Sequence, residues 1–298
     1  MPPLMPLPTP HNTARGILLM LLGVFLFTAM DAVVKGLVGG YPAVQVVWAR
    51  FAGQFVIVAA ILLARRNLGT VLRTRFPGLH LARSIFQFGT AGLYFAGLAY
   101  IGLAEAQALA DISPVLITLG AALFLGEKLG PRRILGVMAA MAGALVIIRP
   151  GFGVFTPAAL LPIGAAVCYA AFALITRRVG AHESAWTSMI YAAAFGTLAS
   201  SVLLIPVWQP IALADLPLFL LIGVLGSAAQ LCLVRSFSMA EASVVAPFTY
   251  VGILFATGWG ILLYEEWPDG WTILGALVIV LAGLYVWHRE TQAARQGR

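Results

Sequence analysis

Asp31, Lys35, Arg50 and Asp111 are ionisable side chains set within runs of otherwise apolar sequence. The first two lie in FTAMDAVVKGL (27–37), four residues apart and therefore on one helix face. In hydrocarbon an ionised side chain costs about 2.5–3.5 kcal/mol by insertion scales, so each such group is a functional candidate by default. An arginine fork matches carboxylate geometry. Carboxylates beside an arginine can neutralise it, engage the carboxylate or ammonium of a zwitterion, or hold a proton.

The elements that carry these groups are set by composition. The chain is 61% hydrophobic and 10% charged over 298 residues, with a mean hydropathy of +0.96. A soluble domain carries about 25% charged residues, so most of this chain faces lipid. A crossing helix needs about 20 apolar residues. Apolar runs between Pro, Gly and charged punctuation predict helices at 15–36, 43–64, 80–99, 104–126, 131–149, 157–177, 184–206, 215–236, 241–264 and 269–288. The fold class expected is an all-α polytopic membrane protein with ten transmembrane helices in two inverted five-helix repeats. Residues 1–14, rich in proline, read as a flexible tail, residues 15–149 and 150–288 as the two repeats, and 289–298 as a second tail.

Charge distribution orients the chain. Of the 18 basic residues, 15 fall on the side of the N-terminus, including Arg65, Arg66, Arg73, Arg75 and Arg83. By the positive-inside rule both termini are expected in the cytoplasm. The net charge of +7 is spread over short clusters rather than a continuous patch, so no nucleic-acid partner is expected. Cys168 and Cys232 lie inside apolar segments and suggest no disulfide; His11, His80, His182 and His288 fall in expected tails or loops. With no metal spacing, nucleophile elbow or phosphate loop, neither an enzyme nor a cofactor is expected.

Two stretches match in order of landmarks. AEAQALADISPVLITLGAALFLGEKLG (104–130) is followed by LGVMAAMAGAL, and AEASVVAPFTYVGILFATGWGILLYEE (240–266) by LGALVIVLAGL. Five spans per half is an odd number, so the second half enters the membrane inverted, which is an architecture of secondary transporters working by alternating access. Pro114 and Pro247 are placed to bend the fourth and ninth helices. Small residues on the fifth and tenth helices (Gly136, Ala139, Gly143; Gly275, Ala276, Gly283) read as a packing or dimer surface, leaving monomer and homodimer both open.

These features resemble the drug/metabolite transporter superfamily, EamA-type: ten spans in two halves, AEA followed by proline, LGEKLG closing the fourth span and a Gly/Ala-rich fifth. The resemblance runs over about residues 15–288 and implies a carrier of small molecules in a bacterial inner membrane, amino-acid export (aromatic amino acids included) being the leading expectation. The alternatives are uptake or exchange of a charged metabolite such as S-adenosylmethionine, and multidrug-type efflux. The second copy departs from the pattern, reading LYEEWPDG where the first reads LGEKLG.

Depth then selects the site. At 1.5 Å per residue, Asp31 lies about 6 Å, and Arg50 and Asp111 about 10 Å, from the outer ends of their helices, so the three can share a layer. Asp31 is expected to compensate Arg50, while Lys35 and Glu105 snorkel to the interface. Two uses of the layer remain open: a staple between helices 1, 2 and 4, or contact with substrate. The neutral candidates for a substrate cavity are Gln54, Gln87, Tyr94, Gln107, Ser113, Tyr169, Trp186, Tyr191, Gln230 and Tyr250. Trp208, Trp267, Trp271 and Trp287 fit an interfacial belt.

Overall fold

The computed structural model describes residues 10–66, 68–113, 115–117, 119–120, 131–148, 156–180, 183–239 and 246–295. The helices are α1 (Pro10–Val38), α2 (Ala43–Ala64), α3 (Pro77–Leu98), α4 (Leu103–Ala110), α5 (Pro131–Ile148), α6 (Leu160–Gly180), α7 (Ala185–Leu204), α8 (Leu216–Met239), α9 (Val251–Tyr264) and α10 (Gly270–Arg295). A one-turn helix, Leu68–Val71, lies between α2 and α3, and a 3-10 turn, Ala246–Tyr250, leads into α9. Among the described residues there is no strand. Among the described residues, five segments are long and apolar enough to cross a membrane: Ala14–Val38, Ala43–Ala64, Pro157–Thr176, Trp186–Val207 and Leu216–Leu233.

Several boundaries differ from expectation for local reasons. α1 and α10 extend into the stretches read as tails, starting at Pro10 and ending at Arg295. Proline's fixed φ suits the first helical turn, and α3 begins in the same way at Pro77. That earlier start places His80, read as a loop residue at the edge of the expected helix, in the first turn. The fourth span is broken: α4 stops at Ala110, residues 111–112 form a turn, and residues 113, 115–117 and 119–120 are again helical. Pro114 and the LGEKLG motif lie outside the described residues. Pro247 stands in the 3-10 turn Ala246–Tyr250, within the stretch expected as the ninth helix.

The inverted repeat is visible in which helices touch. α1 packs on α8 and α3 on α6; α2 faces α7 and α5 faces α10. Numbering each half from one to five, first meets third of the other half in both directions, second meets second and fifth meets fifth. That is the pattern of a pseudo-two-fold axis. Directions agree. Ser236 Oγ donates to Gly16 O at 2.7 Å while Gly226 sits against Met30, so α8 runs antiparallel to α1. Arg83 Nε donates to Thr176 Oγ1 at 2.7 Å while Gly97 sits against Pro162, so α6 runs antiparallel to α3. The first helix of the second half therefore points opposite to the first helix of the first.

Contacts at each pole place the loops. Lys35, Tyr41, Ile101, Asp215 and Glu266 gather at one end, here the Lys35 end; Arg65, Leu72, His80, Glu183 and Trp186 gather at the other, the terminal end. One continuous core runs through both halves, from Met30 and Phe51 to Phe95, Phe219 and Ile279. Leucines such as Leu198, Leu254 and Leu262 face outward, as lipid contact requires.

Helices approach most closely at small residues. A Cβ on Gly53 of α2 would lie 2.6 Å from Gly223 Cα of α8. The stripe read as a packing or dimer surface is used inside the chain: a Cβ on Gly143 of α5 would lie 2.9 Å from Gly275 O of α10. Gly223→Leu is accordingly expected to lower stability by about 1–3 kcal/mol through overpacking. Gly92→Ala, at a helix position with nothing within 4 Å, should be neutral or stabilising. Thermal unfolding of the two variants in detergent checks this, and equal midpoints would contradict the close α2–α8 contact.

Candidate functional site

Arg50 projects from the middle of α2, and Gln54 follows one turn later on the same face. Its guanidinium carbon lies 5.8, 5.5 and 5.5 Å from the ring centres of Phe27, Phe51 and Phe95, brought by α1, α2 and α3. Aromatic faces attract a cation at that range. Asp31 is buried on α1 and interacts electrostatically with Arg50, but the two form no direct ion pair. The expected compensation is thus a field effect across a gap, and rings rather than a carboxylate touch the guanidinium. Arg50 Nε makes no hydrogen bond within the protein.

Asp111 sits at the break in the fourth span, where its N–H donates to Gln107 O at 2.9 Å and ends α4. Its Oδ1 accepts from Gln107 Nε2 at 3.0 Å, and Gln107 Oε1 accepts from Tyr94 OH at 3.3 Å. Tyr94 interacts electrostatically with both Asp31 and Asp111, whereas Tyr169 and Tyr250 interact with Asp111. The helices thus bring Asp31, Arg50, Tyr94, Gln107, Asp111, Tyr169 and Tyr250 together. Buried polar atoms without a protein partner include Arg50 Nε, Gln54 Nε2, Gln87 Oε1, Asp111 Oδ2, Tyr250 OH and Trp259 Nε1. Since buried polar groups are nearly always hydrogen-bonded, these atoms mark where polar matter from outside the chain belongs.

The other candidates are placed as follows. Gln87, Ser113 and Gln230 are buried on the third, fourth and eighth helices. Trp186 and Tyr191 stand apart at the terminal end. Arg65 stacks on Trp186 at 5.4 Å, and Tyr191 OH donates to Leu72 O at 2.9 Å. The expectation that they belong to the central cavity misses this, because the α2–α3 loop packs over the start of α7.

Each end of the bundle is tied by an ion pair or charge-assisted contact. At the Lys35 end, Lys35 Nζ pairs with Glu266 Oε1 at 2.8 Å and donates to Ile101 O at 2.6 Å and Leu98 O at 3.4 Å. Glu266 Oε2 accepts from Leu103 N at 3.2 Å, and Tyr264 OH donates to Ala32 O. Lys35 therefore closes this end instead of snorkelling. Beside it lies a cavity of about 300 Å³ walled by Tyr100, Glu105, Glu266, Trp267 and Asp269.

At the terminal end, His80 is fully buried, contrary to its expected loop position, with Nε2 2.6 Å from Glu183 Oε2 and its ring stacked on Tyr191. Glu183 Oε1 also accepts from Thr74 Oγ1 and from Arg75 N at 2.8 Å. Burial pushes this carboxyl up, but the hydrogen bonds from Thr74, His80 and Arg75 outweigh it and hold it below its ordinary value. Arg83, counted from sequence as one more inside charge, is instead buried: Nη1 donates to Ser188 O at 2.8 Å and the guanidinium lies 4.5 Å from the Phe172 ring centre. Sequence reasoning missed Glu266, Glu183 and the phenylalanine cage. The change from LGEKLG to LYEEW was the one signal pointing at Glu266.

The profile of the EamA-like transporter family matches twice, at residues 14–149 and 156–287. The chain belongs to the EamA-like transporter family. Family members with assigned roles include the pseudopaline exporter of Pseudomonas aeruginosa, 33% identical over 90% of this chain and 94% of its own. The riboflavin transporter of Vibrio cholerae is 30% identical over 97% and 98%. An S-adenosylmethionine uptake transporter of Rickettsia bellii is 24% identical over 93% and 95%. A protein of known crystal structure shares the fold with a TM-score of 0.63, at 21% identity over 92% of this chain and 96% of its own. As an EamA-like protein the chain is a multi-pass membrane transporter of small molecules, not an enzyme.

Two outcomes follow from the ties. Lys35→Met is expected to raise amide hydrogen exchange at 98–103 and 264–269, and unchanged protection there would contradict the closure. A depressed carboxyl stabilises the fold above the ordinary glutamate value of about 4.3, and this contribution is lost as pH falls through the lower folded value. Glu183→Gln should therefore lower the melting midpoint at neutral pH and flatten its decline below about pH 4, measured by thermal unfolding across pH.

Proposed function

We propose that this transporter exports amino acids, aromatic ones among them, across the bacterial inner membrane by alternating access, with Arg50 receiving the substrate carboxylate. The observation that carries the reading is the guanidinium of Arg50, ringed by Phe27, Phe51 and Phe95 and with Nε unbonded. A carboxylate suits the fork, and the surrounding rings suit an apolar or aromatic side chain. Partners such as Asp31 keep the site near neutrality when it is empty. Cytoplasmic termini are supported by the 15 basic residues on that side, and the bacterial relatives support an inner-membrane location. The fifth–tenth helix contact buries the glycine stripe within one chain, which favours a monomer.

A second reading, uptake or exchange of a charged metabolite, is favoured by the two carboxylates in the layer and by the S-adenosylmethionine uptake relatives. Uptake of radiolabelled L-phenylalanine into liposomes holding the pure protein, competed by unlabelled amino acids and S-adenosylmethionine, separates the two. The export reading expects neutral amino acids to compete and Arg50→Ala to fold yet lose at least about tenfold in rate, the equivalent of one charge-assisted hydrogen bond. Competition by S-adenosylmethionine alone would move the assignment to the second reading. Full activity of Arg50→Ala would overturn the role of Arg50.

A further inference from the structure

We infer that Asp111, with Tyr250 and Tyr169, forms a seat for an alkylammonium group, distinct from the anion-receiving guanidinium of Arg50. The inference rests on the carrier reading above and assigns the other pole of its substrate.

Asp111 is only 8% exposed, and its two oxygens are not equivalent. Oδ1 is held by Gln107 Nε2, whose orientation is set in turn because Gln107 Oε1 accepts from Tyr94. Oδ2 has no donor in the protein. Tyr250, also 8% exposed, leaves its hydroxyl equally without a partner, and both it and Tyr169 interact electrostatically with Asp111. A Cβ on Gly252, two residues after Tyr250, would lie 3.2 Å from Gln107 Nε2, so the start of α9 lies beside the residue that holds Asp111.

The Arg50 guanidinium makes no ion pair with Asp111. Arg50 interacts electrostatically with Asp31, whereas Asp111 is held by Gln107. Among the described residues no lysine or arginine pairs with Asp111, so its ionised form calls for a counter-charge from outside the chain. A single carboxylate with tyrosines does not supply the six to eight oxygens of a calcium site. An alkylammonium fits: one N–H to Oδ2, one to the Tyr250 hydroxyl oxygen, and its positive face against an aromatic ring. A proton on Oδ2 would satisfy the same atom, so the test distinguishes the two.

The test reads binding rather than flux, as ligand-induced shifts in the melting midpoint of the purified full-length protein. Phenethylamine carries the ammonium without a carboxylate, 2-phenylethanol replaces the ammonium by a hydroxyl, and N-acetyl-L-phenylalanine keeps only the carboxylate. Phenethylamine is expected to stabilise the wild type at concentrations at least about tenfold below those needed with 2-phenylethanol, a ratio of one charge-assisted bond. Asp111→Asn should abolish that preference and leave the response to N-acetyl-L-phenylalanine unchanged. Tyr250→Phe should weaken it severalfold. Equal responses of the wild type to phenethylamine and 2-phenylethanol would overturn the seat, a comparison that needs no variant. So would an infrared carboxylic-acid band that persists with phenethylamine and is missing in Asp111→Asn, because the proton would then hold the site. Ammonium preference without amino-acid flux would leave the seat standing and remove the export reading; flux without ammonium preference would do the reverse.

Discussion

A guanidinium inside a bundle of apolar helices must be solvated by protein, and the way Arg50 is solvated governs which side chains its neighbours carry. Here three phenylalanine rings from three helices do most of that work, and Asp31 contributes its field from beyond contact distance. A tight ion pair would have cancelled the charge and left it unavailable. Rings stabilise the cation without occupying its donors, so the fork remains able to bind an anion. The same logic extends to Asp111, one of whose oxygens is anchored while the other stays open.

The repeat explains why these groups meet. First helices pack on third helices of the other half, so the side chains of α1, α2, α3 and the fourth span converge where the two halves face each other. Close contact at Gly53 and Gly223 brings α2 against α8 in that region. At the two ends the chain departs from symmetry: Lys35 with Glu266 on one side, His80 with Glu183 on the other. Both ties link a helix end to a loop from the opposite half of the sequence, so a rocking motion of one half against the other must break one of them while the other holds. Under the alternating access proposed above, each would serve as a closure that opens and re-forms.

Much of this was legible because the bilayer imposes simple lengths. Apolar runs of about 20 residues and an odd number of spans per repeat are enough to predict ten helices and their inversion. Depth along a helix also follows from residue count, which is why Asp31, Arg50 and Asp111 could be assigned one layer. Azimuth does not follow from count. Nothing in the local sequence says that Phe27 and Phe95 turn toward Arg50, or that Trp186 is drawn to the terminal end by Arg65. His80 was read as a loop residue because Pro77 starts α3 three residues earlier than hydropathy suggests, and a first turn rich in polar residues reads as loop. Pro114 was expected to bend the fourth helix, whereas α4 ends already at Ala110, with the Asp111 N–H donating to Gln107 O.

The central claim is that the layer around Arg50 is reached alternately from both sides of the membrane. The most direct measurement uses protein lacking Cys168 and Cys232, with a single cysteine at Gln54, one turn from Arg50. Membrane-impermeant thiol reagents are then applied from either face of oriented vesicles. Alternating access predicts labelling from both faces, with Glu266→Gln raising the rate from the Lys35 end and lowering it from the terminal end. Labelling from neither face, or from one face alone in a protein that still transports, would contradict the account.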